Sequence, residues 1–434
     1  MSPAPGVDGM AFLRRPGRLL ICRPNPIQFG HLGMEMVMAL ARAREEGSAI
    51  AFLRQRPVVN EGPFDLESDE VEIRRLSAPA AAWWRLWWAC GTHRGDLADR
   101  ILDLRIAFWK QVGETARRLV SRPGLSPGAV DRLRRLKTAA REREPERRPR
   151  STPYLKRRLI RTPVRVRFRR DVDQRLVRLA AEVGIARDRP VVTVHAREPG
   201  WKRGREVQDK PPSARQYMRD DSTRNADIET FVPAIDYLVE RGFTVVRLGD
   251  PSMRAVVRPG VIDLALNPRR TPALDVYCLL QSRFLLAGES GPSVVTLLTN
   301  TPTLTINATD PVSSYPIRAD WLFVPKAVIE RATGRQLMLR QMATEQYLAA
   351  VRNTTQYEYV SNTPEEILEA TVEMLAFLES PPPETDEQRC FRELLARLSI
   401  EMAPLHRYVR KWAAHEGFLG DGRVARFYAD RYFG

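Results

Sequence analysis

The sequence predicts an α/β protein made of two Rossmann-like parallel-sheet domains that face a cleft, with a helical appendage at the carboxyl end. From residue 189 onward, short β-branched runs alternate with amphipathic helical segments, a pattern typical of a parallel sheet covered on both faces. At the amino end, RLLICR at 18–23 is followed by a loop and a helical pattern, so a second β-α-β unit opens the chain. Such sheets bind ligands beyond the carboxyl ends of their strands.

Composition narrows the class of protein. The chain has 434 residues, of which 43% are hydrophobic and 28% charged, as expected of a globular protein with two or three domains. Its four cysteines include no CxxC pair, which argues against a zinc site or a disulfide framework and favours the reduced cytoplasm. No apolar run approaches the roughly 18 residues of a membrane span. We expect no signal peptide, because Arg14 and Arg15 stand where its apolar core would be.

The amino-terminal domain is predicted over residues 1–140. After the strand at 18–23 comes the loop PNPIQFGHLG, then a helix from Met34 to Glu46 that ends at Gly47, then a second strand from Ala49 to Leu53. Residues 77–140 have a helical pattern and form an insertion. The segment 141–185 is a basic linker, since it is rich in arginine and broken by prolines.

The second domain is predicted over residues 186–335. Its helix at 227–242 has Asp227 as the amino-terminal cap, Gly242 just past its end, and one apolar face that includes Phe231 and Leu238. Two helical stretches follow within 336–380, the second opened by a capping box at Thr363 and Glu366, and 381–434 forms a helical tail. The predicted strands of this domain are 191–197, 243–248, 261–265, 283–288 and 302–307.

Polar residues follow three of these strands. His195 and Arg197 end the first strand on one face, where the fork of arginine donors suits a phosphate group. The alternative is an arginine paired with a local carboxylate and a core histidine. A helix that begins near Pro292 would offer backbone N–H groups to an anion, although Gly and Ser after a strand are also ordinary turn residues. The further candidates are Arg219, Arg224, Arg247, Asp250, Glu289, Ser290, Gly291 and Ser293.

These segments together resemble a known family. Four segments are similar to a family of bacterial glycosyltransferases of the GT-B type associated with surface polysaccharides. In chain order they are HAR, RDDSTRNADIETFVPAIDYLVERGFTVVRLGDPSM, DVYCLLQSRFLLAGESGPSVVTLLTNTPTL and LFVPK. The HxR element is also similar to the nucleotide-diphosphate site of GT-B fucosyltransferases. The resemblance covers about residues 190–330. It departs from the fucosyltransferases at Glu198, where they commonly have a second arginine.

The resemblance implies a site that binds a nucleotide-sugar. Arg197 would hold the donor diphosphate, and the helix start at Ser290, Gly291 and Ser293 would bind phosphate. The donor-side set would be completed by His195, Arg219, Arg224, Arg247, Asp250 and Glu289. The predicted donor domain, residues 186–335, contains no Asp-x-Asp triplet for Mg²⁺ or Mn²⁺, so we expect a metal-independent reaction and no cofactor beyond the substrate.

The amino-terminal domain would face the acceptor. The glycines of GHLG, Gly30 and Gly33, would let a loop backbone approach the ligand, and His31 or Glu35 would deprotonate an acceptor hydroxyl. The alternative is a tight turn with a structural histidine.

Two features lie outside this resemblance. Residues 131–170 carry 17 basic and 4 acidic side chains, an excess of 13 positive charges out of a net +16. Trp83, Trp84, Trp87 and Trp88 form one indole face on a helix, and with the basic segment they would attach the protein to an anionic membrane surface. The alternative is that these indoles pack in the core.

The leading hypothesis is a cytoplasmic glycosyltransferase, peripheral on the inner membrane face, that transfers a sugar to a glycan or lipid-linked acceptor. One alternative is a nucleotide-sugar epimerase or hydrolase of the same fold. The other is a non-enzymatic basic protein that binds nucleic acid through residues 131–170, which lack the aromatic interleaving and the recognised fold of such proteins. The sequence leaves open the base and sugar of the donor, the acceptor and the anomeric outcome.

Overall fold

A computed structural model describes residues 19–22, 24, 29–54, 58–82, 163–199, 220–401 and 420–434. The chain forms two compact units, residues 1–14 with 76–150, and residues 15–75 with 151–434. Of the first unit only 76–82 are described, so the predicted helical insertion and the tryptophan cluster at 83–88 lie outside the described residues. Most of the basic segment 131–170 does so too. The elements below belong to the second unit.

The five predicted strands of the second domain are all confirmed, with bounds that differ by one or two residues. In chain order the elements are β1 (Leu19–Cys22), α1 (Phe29–Glu46), β2 (Ala49–Phe52), β3 (Leu66–Glu67), β4 (Arg167–Phe168), α2 (Arg170–Glu182), β5 (Val191–His195), α3 (Val232–Glu240), β6 (Thr244–Arg247), β7 (Val261–Asp263), α4 (Pro272–Gln281), β8 (Ser282–Ala287), α5 (Gly291–Thr299), β9 (Thr303–Ala308), β10 (Leu322–Pro325), β11 (Ala327–Glu330), β12 (Arg335–Gln336), α6 (Leu339–Met342), α7 (Glu345–Ala349), β13 (Tyr357–Val360), α8 (Pro364–Glu379), α9 (Asp386–Glu401), β14 (Arg423–Val424) and α10 (Arg426–Tyr432).

The main sheet has seven parallel strands in the order β7–β6–β5–β8–β9–β10–β14. In this sheet, helices separate β5 from β6, β7 from β8 and β8 from β9, which agrees with the strand-and-helix alternation that the sequence predicts. From β5 the chain builds outward through β6 to β7, and it then returns to the other side of β5 with β8 and continues to β10. The strand order therefore reverses between β5 and β8. In an open parallel sheet this reversal leaves a crevice beyond the carboxyl ends of the two strands, where ligands bind.

Both faces of the sheet are covered, which explains why its strands are apolar almost throughout. One apolar cluster contains Val194 and Leu286 with Phe231 and Leu238, which lie on the predicted apolar face of the helical segment. The other contains Leu285 and residues of α4, α5 and α1. Asp227 caps this segment by accepting from Glu229 N at 3.0 Å, although the first turn is a 3₁₀ helix at Ile228–Phe231. The prediction of a doubly covered α/β sheet is confirmed.

The amino-terminal β-α-β unit is also present, and β1 pairs with β2 in parallel. The prediction that GHLG lies in a loop is wrong, because α1 begins at Phe29 and contains all four residues. Its end was predicted correctly, with Gly47 at φ +59°. The remainder of the predicted amino-terminal domain falls largely outside the described residues.

The carboxyl-terminal region is helical, with two departures from the prediction. The stretch 335–352 is broken into α6 and α7, because Thr344 caps a new helix there by accepting from Tyr347 N. The tail also supplies β14, which pairs with β10 at the edge of the main sheet, so it is more than a helical appendage. The capping box at Thr363 and Glu366 is confirmed. Among the described helices, none combines the length and hydropathy needed to cross a bilayer.

Candidate functional site

Several of the sequence-predicted polar residues follow the two strands between which the strand order reverses. Arg197 lies two residues beyond the end of β5, and Glu289 and Ser290 join β8 to α5. Gly288 N donates to the carbonyl of His195 at 3.4 Å, which joins the ends of the two strands directly. The fold thus brings the HxR element and the Gly-Ser helix start to one edge of the sheet.

Arg197 is half-buried, and among the described residues it makes hydrogen bonds only to neutral acceptors. Its Nη1 donates to the Asp221 carbonyl oxygen and to Asn225 Oδ1, each at 2.6 Å. Within the described residues its Nε and Nη2 have no hydrogen-bond partner. These two nitrogens form the edge of a guanidinium that binds an oxyanion in a bidentate manner. Arg197 is therefore held by one nitrogen and presents a two-donor edge.

Burial of this charge is incompletely compensated. Desolvation, together with the charge of Arg224, lowers the pKa of Arg197 to about 10, while the charge of Asp221 opposes the shift. The buried arginines Arg247 and Arg352 each contact a carboxylate, Arg247 with Asp263 at 2.9 Å and Arg352 with Glu289 at 2.8 Å. In the described part of the chain, Arg197 has no carboxylate within 4.0 Å. A cation in this state gains more from a bound anion than one that is already paired.

His195 is buried and cannot serve as a cationic phosphate ligand. Desolvation lowers its pKa to about 4, which the hydrogen bond to Leu248 opposes. Nδ1 lies 3.0 Å from the Leu248 carbonyl oxygen, which only accepts, so Nδ1 carries the proton and Nε2 carries a lone pair. A lone pair repels phosphate oxygens and accepts from a hydroxyl. We therefore replace the predicted phosphate contact of His195 with a neutral acceptor role.

Arg247 lies inside the protein rather than at the ligand edge. It is fully buried, with Nη1 2.9 Å from Asp263 Oδ2 and Nη2 2.9 Å from Glu198 Oε1. Because protein carboxylates already occupy both ends of its guanidinium, we do not include Arg247 in the proposed site. The same ion pair gives Glu198, the residue at which the sequence departs from the fucosyltransferase pattern, a structural role as a partner of Arg247. Its second oxygen accepts from Arg254 N.

Glu289 is a buried carboxylate whose acceptors are already used. Oε2 accepts from Thr309 Oγ1 at 2.6 Å and from Arg352 Nη2 at 2.8 Å, and Oε1 accepts from Ser314 and from Asp310 N. Burial raises its pKa, but the charge of Arg352 and these hydrogen bonds more than offset that effect, so the pKa lies below the ordinary value. A contact of Glu289 with the donor would require it to exchange one of these partners.

The helix start after β8 is arranged as predicted. Ser290 is the amino-terminal cap of α5, but its side chain makes no cap bond and lies 3.3 Å from Ser293 Oγ, which donates to the Gly288 carbonyl. The first-turn N–H groups of α5 consequently lack a side-chain cap within the described residues. Because a helix amino terminus carries partial positive charge, this turn can bind an anion beside Arg197.

The other predicted donor-side residues have local partners. Arg224 Nη2 pairs with Asp221 at 3.1 Å, and its Nε is buried without a partner among the described atoms. Asp250 accepts from Ser252 N at 3.0 Å and so stabilises its own turn. Arg219 lies outside the described residues.

The acceptor-side residues belong to the first two turns of α1. A methyl group added at Gly30 would lie 3.2 Å from Gly291 Cα, and one at Gly33 would lie 2.9 Å from Val295 Cγ2. The two glycines therefore let α1 approach α5, rather than let a loop approach a ligand. His31 is exposed and Glu35 is half-buried one turn later, so the two share a helix face. Glu35 also acts on Cys22. Burial raises the pKa of the Cys22 thiol, and the negative charge of Glu35 raises it further.

Sequence reasoning missed Lys326 and Arg352. Lys326 follows β10 and is buried, with Nζ 2.8 Å from the Asn225 carbonyl and 3.1 Å from Ser361 Oγ. It is the last residue of the quoted run LFVPK, which is the only signal that could have indicated it. Arg352 comes from a loop that carries no motif.

A cavity of about 820 Å³ lies at the opposite end of α5, next to Asn300. Three of its arginines have carboxylate partners, since Arg44 contacts Glu70 at 2.9 Å, Arg318 contacts Asp320 at 2.5 Å and Arg167 contacts Asp69. The cavity is thus separate from the helix start at Ser290.

Comparison with known proteins gives only loose likenesses. No family model and no curated protein sequence matches the chain. A glycosyl transferase of family 9 from Veillonella parvula has a TM-score of 0.42 and 9% identity, over 82% of this chain and 96% of that one. The α-1,6-fucosyltransferase NodZ soaked with GDP-fucose has a TM-score of 0.27 and 13% identity, over 65% of this chain and 92% of that one. The fucosyltransferase NodZ from Bradyrhizobium has a TM-score of 0.26 and 13% identity, over 65% of this chain and 91% of that one. Superpositions this loose equate no residue of this chain with a residue of those enzymes.

Proposed function

We propose that the protein is a glycosyltransferase of the GT-B type whose donor is a nucleoside-diphosphate sugar. One observation carries the proposal. Arg197 is a half-buried guanidinium without a carboxylate partner among the described residues, and it stands where the strand order of a parallel sheet reverses. A cation placed and left unpaired in this way favours an anionic ligand.

The diphosphate would lie between two groups that stabilise negative charge. Nε and Nη2 of Arg197 would donate to its oxygens from the β5 side, and the first turn of α5 would donate backbone N–H groups from the β8 side. Negative charge grows on the diphosphate as its bond to the sugar breaks, so both groups would stabilise the transition state. We propose that this stabilisation suffices without a metal ion.

The acceptor would enter from the α1 side. In the transfer, an acceptor hydroxyl oxygen forms a bond to the anomeric carbon, the bond from that carbon to the diphosphate breaks, and the hydroxyl proton passes to a base. His31 and Glu35 support this role, because Gly30 of the same turn contacts Gly291 at the start of α5. Both candidate bases thus belong to the helix whose first turn lies close to the start of α5.

We propose that the acceptor is a glycan or a lipid-linked saccharide used in surface polysaccharide synthesis. We also propose that the protein works at the cytoplasmic side of a membrane. The support comes from the sequence, namely the excess of 13 positive charges in residues 131–170 and the tryptophans at 83–88.

Ligand binding tests the donor assignment. Nucleoside diphosphates such as GDP and UDP should stabilise the protein without added metal, by about 2.7 kcal/mol at 100 times the dissociation constant. Arg197→Ala should weaken binding by roughly 2 to 4 kcal/mol, because a charge-assisted contact is lost. Arg258→Ala is the matched control, since Arg258 pairs with Asp236 in α3. Normal nucleotide binding by Arg197→Ala, or none by the wild type, would refute the assignment.

Product analysis then tests the reaction. A transferase needs an acceptor to consume the donor at its full rate, whereas an epimerase needs none and a hydrolase releases free sugar. Donor turnover that is unaffected by any acceptor would favour these alternatives.

A further inference from the structure

Residues 220–226 enclose Arg197, and we refer to them as the clamp segment. Arg197 Nη1 donates to the Asp221 carbonyl and to Asn225 Oδ1, and Ala226 N donates to the Arg197 carbonyl at 3.0 Å. The segment therefore contacts Arg197 through both its side chain and its backbone. A long, flexible side chain held in this way has a defined direction.

The carboxyl end of the clamp segment is held by Lys326. Nζ donates to the Asn225 carbonyl at 2.8 Å and to Ser361 Oγ at 3.1 Å. The same Asn225 accepts from Arg197 through its side chain, so Lys326 is one residue removed from the arginine. Burial lowers the pKa of Lys326 to about 8, which the charge of Glu289 opposes, so a costly buried cation is retained at this position.

The amino end of the segment is held by Arg352. The Arg352 carbonyl accepts from Asp220 N at 3.1 Å, and Nη1 lies 3.7 Å from Asp221 Oδ1. On its other side, Arg352 contacts Glu289 at 2.8 Å and Thr309 Oγ1 at 2.7 Å. Arg352 also has φ +62°, a left-handed conformation that is unfavourable for an arginine. Such strain persists only where surrounding contacts fix the backbone, and here it aims the carbonyl at the clamp segment.

We propose that Lys326 and Arg352 are positioning residues that hold the clamp segment at its two ends, so that the Nε and Nη2 edge of Arg197 faces the donor diphosphate. The inference rests on the proposed function for the identity of the ligand. It assigns roles to two basic residues that come from separate loops, one after β10 and one before β13.

A double-mutant cycle tests whether the two residues act through Arg197. Lys326→Met and Arg352→Gln should each weaken GDP or UDP binding roughly ten-fold in the wild type. In an Arg197→Lys background, which keeps a charge but loses the Nη1 contacts, each should weaken it by less than about two-fold. Equal effects in both backgrounds would overturn the proposal, since they would indicate that Lys326 and Arg352 contact the nucleotide directly. Arg258→Gln is the control and should have no effect in either background.

Hydrogen exchange tests the clamp without ligand. Both variants should accelerate exchange of the Ala226 and Asp220 amides roughly ten-fold, relative to the amides of β5. Unchanged exchange in both variants would overturn the proposal. If no nucleotide binds the wild type, the proposed function fails, and the exchange result alone then decides the positioning roles. Asn225→Ala replaces any variant that does not fold, because it removes one Arg197 contact without exposing a buried charge, and it should give the same non-additive binding.

Discussion

The buried ion pairs of Arg247 give the sharpest test of the side chains around the sheet. Sequence reasoning predicted that Arg247 binds the donor, whereas the structure places it between Glu198 and Asp263 with side-chain exposures of 1%, 17% and 13%. Arg247→Met keeps most of the volume and removes the charge. If the role of Arg247 is structural, the variant should lose stability and keep its nucleotide affinity.

The loss of stability in Arg247→Met depends on the hydrogen bonds that Glu198 and Asp263 retain. Removing one member of a buried ion pair costs about 3–5 kcal/mol, because the remaining charge is left without its partner. Glu198 would still accept from Arg254 N and Asp263 from Val256 N, each at 2.9 Å. Arg247 Nε is itself buried without a partner among the described atoms. Both facts favour the lower end of the range, about 3 kcal/mol.

Urea unfolding followed by tryptophan fluorescence measures this loss, and calorimetric titration with GDP or UDP measures affinity. Arg258→Met is the control and should leave the free energy of unfolding almost unchanged, because its ion pair with Asp236 is exposed to solvent. Adding Glu198→Gln and Asp263→Asn to Arg247→Met should restore roughly 1 kcal/mol or more, since two uncompensated charges are removed. Wild-type stability together with weakened nucleotide binding in Arg247→Met would refute the structural role and restore the sequence prediction.

Three further predictions concern other parts of the chain. Because the pKa of His195 is lowered from 6.5 to about 4, its neutral form contributes stability that is complete above pH 6.5 and is lost as pH falls towards 4. His195→Gln should flatten the pH dependence of unfolding in that window by roughly 3 kcal/mol, and an unchanged profile would contradict the assignment. Gly33→Ala should destabilise the protein by about 1–3 kcal/mol in thermal unfolding despite its better helix propensity, since the new methyl would lie 2.9 Å from Val295 Cγ2; a gain in stability would show that α1 and α5 are less closely packed. Replacing Trp84 and Trp88 with Ser should weaken co-sedimentation with anionic liposomes at constant salt and leave nucleotide affinity unchanged, whereas unfolding of the variant would favour core packing of those indoles.

The main sheet could be predicted from the sequence because the composition of each strand shows whether one or both of its faces are buried. A strand covered on both faces is apolar along its length, and VVTVH at 191–195 and FLLA at 284–287 have that composition. Connections between parallel strands are short and right-handed, which restricts the possible strand orders. The pairing of β5 with β8 is one of the few orders that this rule allows. Arg197 and Ser290 follow these strands directly, and the same reasoning located them.

The partners of these residues could not be predicted in the same way. Arg247 and Arg197 each follow or end a strand, and nothing in the local sequence distinguishes the paired arginine from the unpaired one. The distinction depends on Glu198 and Asp263, which are 49 and 16 residues away from Arg247 in the chain. Arg352 is farther still from Glu289, at 63 residues, and lies in a loop without any signal of its own.

The error at GHLG has a physical cause that also bears on the proposed mechanism. Two glycines three residues apart, with no Ser, Thr, Asp or Asn immediately before them, lack the signals of a helix start, and each glycine costs about 1 kcal/mol in a helix. Tertiary packing supplies what propensity does not, because Gly30 and Gly33 let α1 contact α5 closely. His31 and Glu35 consequently project from a helix that is packed against the proposed diphosphate site, and not from a flexible loop. If His31 or Glu35 is the catalytic base, its position on a rigid element means that it needs no ordering step before it meets an acceptor hydroxyl.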